Sequence, residues 1–156
     1  MAPAPRVVVE IDPKEWERCC IESGLDRTVK IRFRRFPPKS QRAFGCPIYG
    51  EADRATRTIY IYLCIEKYDT ARYREVHNEL IDTILHELRH IVQFEKWPAD
   101  KWNAEIVTPY DQKPSEIDAE KWAKANRPEY KSIAKIRRVF RSNLSRIAET
   151  ERRVKA

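Results

Sequence analysis

Glycine is scarce, with three residues among 156, so the chain offers few hinges and no basis for a moving lid. It has four cysteines, but Cys19 and Cys20 are adjacent and Cys46 and Cys64 stand alone. The C-x-x-C spacing of a zinc knuckle or redox pair is therefore missing. Reduced, mostly buried thiols are expected. A Cys46–Cys64 bridge across a hairpin is geometrically open, but a reducing compartment argues against it. No segment approaches the ~18–20 uncharged residues needed to cross a bilayer. The opening "MAPAPRVVVEIDPKEW" has no basic stretch followed by a long apolar one, so a cytoplasmic location with no membrane partner is expected. Internal repeats and low-complexity tracts are also absent.

What is present suits one globular unit: 42% hydrophobic residues beneath a surface thick with charge, 35% of the chain. The net charge of +7 is unevenly placed. Residues 1–126 hold 21 basic and 21 acidic side chains, and residues 127–156 hold ten basic and three acidic. That tail would attract DNA or another acidic partner, or would simply be a solvated helix face.

Period-2 alternation predicts strands at Arg6–Ile11 and Val29–Arg34. Two further apolar runs, Ala43–Tyr49 and Thr56–Ile65, flank the turn-like "GEADRA" as a hairpin. Pro13 opens a helix that closes at Ser23-Gly24. From Asp69 onward the spacing becomes helical. One long helix starts between Ala71 and Asn78 and runs to about Lys96, where Trp97-Pro98 stops it. After an irregular stretch a second helix starts at Ser115, with Ser115 and Asp118 forming an S-x-x-D capping box, and closes at Asn126. The spacing of Ile133, Ile136, Phe140, Leu144 and Ile147 predicts a final basic amphipathic helix over about 129–152. The fold class is α+β, with residues 1–126 as the domain and 127–156 as an added helix packed on it.

Two of the three histidines fall in "HELRH". His86 and His90 are four apart on a helix and share a face, so both rings can close on one ion. Glu87 lies one step round, placed to reach a water rather than the ion. The continuation that would bring a third histidine is absent, since Gln93 and Lys96 hold its positions. His77, nine residues before His86, would face the other way. The third ligand is then a carboxylate from "SEIDAE". Glu116 and Glu120 share a face, and Asp118 points elsewhere. Glu116 is assigned as the ligand, its alternative role being to complement the helix dipole. Glu120, one turn deeper, is assigned to accept a free ring N–H of His86 or His90.

With "HELRH" followed by "EIDAE", the chain resembles the gluzincin group of zinc metallopeptidases and the minimal zincins of the ImmA/IrrE and phage type, over about half its length. Arg89 departs from the strict peptidase pattern, and the spacing between the two motifs is shorter than in thermolysin-like enzymes. The resemblance implies a zincin-like fold: a small antiparallel or mixed sheet of three to four strands on the HExxH helix, with two further C-terminal helices. It also implies Zn2+ as cofactor, a peptide or protein substrate, and "TIYIYLC" as the edge strand along the cleft. In such an enzyme Glu87 is the general base, and Tyr110, in the loop before Glu116, is the candidate oxyanion donor. Tyr110 could equally be a packed loop aromatic.

Overall fold

The computed structural model describes residues 6–34, 48–63 and 73–139. Cys46 and Cys64, between which a bridge is geometrically open, and the tail beyond residue 139 lie outside them. The fold is α+β, with two small sheets and four helices among the described residues.

The first strand, β1 (Arg6–Ile11), leads into helix α1 (Pro13–Glu22). Asp12 caps α1 by accepting the Glu15 amide at 3.0 Å, and Pro13 fills the first helical position, where no N–H is needed. Gly24 ends it with φ of 101°, a left-handed conformation that glycine adopts without strain. Three strands form one sheet in the order β2 (Lys30–Arg34), β4 (Thr58–Leu63), β3 (Ile48–Asp53). β4 runs parallel to β2, with Ile31 opposite Ile59, and antiparallel to β3, with Tyr49 opposite Tyr62.

Two expectations fail in this sheet. "TIYIYL" (Thr58–Leu63) supplies the central strand, and among the described residues β3 is an edge. The hairpin turn also lies later than "GEADRA": Gly50 to Asp53 belong to β3, and residues 54–57 make the turn. Asp53 Oδ1 accepts the amides of Ala55 and Thr56 at 2.9 and 3.4 Å, an Asx-type closure that competes successfully with a glycine-led turn. Gly50 serves close packing instead. A Cβ there would stand 2.6 Å from Glu87 Cγ and 2.8 Å from Thr83 Cγ2, so only glycine lets β3 lie this close to the helix beneath it.

That helix, α2, runs unbroken from Tyr73 to Lys96. Leu80, Ile81, Ile84, Leu85, Leu88 and Ile91 are each at most 1% exposed. At roughly 1.5–3 kcal/mol per fully buried side chain, they make α2 the best-anchored element and a rigid base for the residues on its other face. Neither α2 nor any other helix among the described residues is long and apolar enough to cross a membrane.

Short helix α3 (Ala99–Asn103) and a 3₁₀ turn at Tyr110–Gln112 occupy the stretch expected to be irregular, and α4 (Pro114–Asn126) packs across α2. The predicted final helix does not form over residues 129–139. Lys131–Ile133 is a 3₁₀ turn, and Ala134–Val139 is a strand, β5, paired antiparallel with β1. Within "AKIRRV" a period of two competes with the helical spacing, since Ala134 and Ile136 are buried while Lys135 and Arg137 are exposed. Pairing decides the contest: β1 needs partners for its backbone groups, and Ile133 O also takes the Asp12 amide at 2.9 Å. Among the described residues the expected single sheet is thus two sheets, and α4 is the one helix that forms of the two predicted after the HExxH helix.

Candidate metal centre

Because α2 is continuous through both histidines and buried on one side, His86 and His90 project together from the other, with ring centroids 4.7 Å apart and planes at 81°. Their Nε2 atoms are 3.1 Å apart. Glu116, in the first turn of α4, closes the group: Oε2 lies 2.9 Å from His86 Nε2 and Oε1 lies 3.0 Å from His90 Nε2. One donor atom from each of the three residues falls within a 4.8 Å span. Tetrahedral coordination at bonds of ~2.0–2.1 Å would separate ligand atoms by roughly 3.3 Å. The two Nε2 atoms, 3.1 Å apart, stand close to that spacing, and Glu116 sets one oxygen against each ring, so the three residues could hold a metal ion.

The charges fit the same use. Burial alone would raise the Glu116 carboxyl, but the hydrogen bonds from His86 and His90 outweigh it and hold the group well below the usual carboxylate range. Burial pulls the His90 ring down, yet the Glu116 hydrogen bond and the Glu87 charge push it up to about 9. The cluster demands positive charge, and a bound cation would replace the shared proton.

Sequence reasoning missed Gln93, which organises the site. It is fully buried, and its Nε2 donates to the Ser115 carbonyl at 2.9 Å and to Asp118 Oδ2 at 2.8 Å. With its NH₂ group committed to two acceptors, its Oε1 faces His90 Nδ1 at 2.8 Å. His90 must then carry a proton on Nδ1, so that once the shared proton is displaced Nε2 turns its lone pair toward the centre. The signal was available: Gln93 lies one turn beyond His90 on the same face. Gln93→Leu is expected to keep the fold and weaken metal binding by about 10–100-fold, measured by competition against a chelating dye. Unchanged affinity would remove Gln93 from the site.

Glu120 does not take the ring N–H assigned to it. It is 63% exposed and pairs with Lys124 at 2.9 Å. The Ser115–Asp118 capping box is also corrected. Ser115 lies inside α4, and its N–H and Oγ donate to Glu105 Oε1 at 2.8 and 2.7 Å, so the cap comes from ten residues upstream. Asp118 instead receives Arg89 Nε at 2.8 Å, and the Arg89 guanidinium lies 5.6 Å over the Trp122 ring. The charged residue inside "HELRH" thus ties α4 to α2. His77 contacts the Ala134 carbonyl at 3.0 Å, away from the centre.

Glu87 is 8% exposed beneath Gly50 of β3. Burial pushes its carboxyl up to about 7, against the pull of His90 and His86. The Tyr110 hydroxyl donates to Glu116 Oε2 at 3.0 Å, although the residue as a whole is 70% exposed. Burial and the Glu116 charge together raise that phenol. Two cavities of about 430 and 350 Å³ flank the centre and share Tyr49, Gly50, Glu87 and Tyr110 in their linings. Set against known protein families, curated proteins and solved structures, the chain matches none.

Proposed function

We propose that the chain is a zinc-dependent peptidase with a zincin-like arrangement of helix and edge strand. One observation carries the reading: two imidazoles and the Glu116 carboxylate converge beside a separate buried acid, Glu87. A ligand set of two nitrogens and one carboxylate suits zinc better than calcium or magnesium, which favour oxygen. Held by His86, His90 and Glu116, zinc would supply Lewis acidity toward a scissile carbonyl and toward water.

The protein's own residues do the rest. Burial raises the Glu87 carboxyl and a zinc ion beside it would lower it again, and from that position Glu87 would take a proton from water and return it to the leaving amine. Tyr110 has its hydroxyl at the cluster, where it can turn from Glu116 to a developing oxyanion. Among the described residues β3 is a sheet edge, and its residues Tyr49 and Gly50 line both cavities. An extended peptide adding to that edge would lie across Glu87.

The test is hydrolysis of a mixed quenched-fluorescent peptide library by protein purified without added metal. Cleavage is expected to vanish with a chelator and to return with one equivalent of zinc. Zinc bound in full with no peptide cleaved would overturn the reading.

A further inference from the structure

The larger cavity has a feature that neither the ligands nor Glu87 require. Glu105, 4% exposed, lines it and caps α4 with one oxygen only. Its other oxygen, Oε2, is buried with no hydrogen-bond partner among the described residues. Leaving such an oxygen unpaired is costly, and more so when the group is charged. Trp102 Nε1, from the same lining, is a buried donor that likewise has no acceptor among the described residues.

The charges around this cavity run against the chain's overall sign. Although the protein carries +7, Glu51, Glu87, Glu105 and Glu116 line the cavity, opposed by Lys113, the His90 ring and the Arg54 guanidinium over Phe94. With Glu116 on an ion and Glu87 at the reacting water, Glu51 at the exposed rim and Glu105 in the wall keep charge to spare. The aromatic lining fits the same ligand. Phe94 and Trp102 pack with centroids 5.4 Å apart, and Phe94 already carries a guanidinium, that of Arg54, at 5.7 Å from its centroid. Aromatic faces beside a desolvated carboxylate favour a cation on a long apolar stem.

We infer that this cavity is a specificity pocket for a lysine or arginine side chain of the substrate, with Glu105 the residue that selects it. The inference deepens the zinc-peptidase reading and rests on it.

Hydroxamates anchor to zinc without being cleaved, so affinity can be read apart from activity. The probes are arginine hydroxamate and citrulline hydroxamate, which keeps the shape but lacks the charge. Titration calorimetry on the zinc-loaded full chain is expected to show arginine hydroxamate binding about tenfold more tightly, or better. In Glu105→Gln, where the amide oxygen can still cap Ser115, the two probes should bind alike, with citrulline hydroxamate unchanged. Equal affinities in the wild-type protein overturn the pocket and leave the metal reading intact. A preference for arginine that survives in Glu105→Gln overturns Glu105 as its source. If neither hydroxamate binds, the metal reading fails and the pocket falls with it.

Discussion

Glu87→Gln is expected to hold zinc as the wild type does and to lose about 10²–10⁴ in hydrolysis rate, the usual contribution of a positioned general base. The amide is nearly isosteric, so the close packing under Gly50 survives the change, but it cannot accept a proton from water. The same variant gives a second readout on the metal-free protein. The Glu87 carboxyl sits at about 7 in the fold against an ordinary 4.5, because burial disfavours the charge. Between those two values the unfolded chain releases a proton that the folded one retains, so Glu87 destabilises the fold progressively as pH rises from 4.5 to 7. The penalty is complete above pH 7 and absent below 4.5. Replacing Glu87 should therefore stabilise the chelator-treated protein at pH 8 by up to about 3 kcal/mol, and hardly at all at about pH 4. Urea unfolding at the two pH values measures it. A variant no more stable at pH 8 than the wild type would show that Glu87 is better solvated than its burial indicates.

His90→Ala and Glu116→Ala are expected to purify essentially without zinc, whereas the wild-type protein carries close to one ion per chain. Changing residues that only orient a ligand already weakens sites by about 10–100-fold. Removing a ligand outright should exceed that, since two donors rarely hold zinc alone. Elemental analysis of the purified proteins decides it. Zinc retained by Glu116→Ala would move the third ligand to another carboxylate in the lining, with Glu51 and Glu105 the candidates. The histidine change should also leave Gln93 Oε1 without its His90 Nδ1 donor, while Ser115 and Asp118 still hold the amide nitrogen.

How far the sequence could be read depended on the range of the interactions involved. Helix α1 was legible to the residue, since Asp12, Pro13 and Gly24 act on their own neighbours. The His86–His90 spacing was equally local, and the lack of a suitable third histidine left a carboxylate of the next helix as the remaining ligand. Three features were misread because they are settled at a distance. β5 is a strand because β1 needs a partner more than one hundred residues away in sequence. The cap of α4 comes from Glu105 rather than from Ser115. The hydrogen-bonding partner of His90 is Gln93, and the two acceptors that orient it lie on another helix.

The sequence by itself determined the composition of the centre: two imidazoles one turn apart, a glutamate beside the first, and an acidic pair on the next helix, all set by the 3.6-residue period. Only the tertiary structure decided which acid faces the rings, which strand forms the edge, and that Glu87 lies buried beneath a glycine. Those outcomes depend on how α2, α4 and β3 pack together, and the packing minimises the summed cost of burying apolar faces and pairing backbone groups across the whole chain. No local pattern encodes that sum.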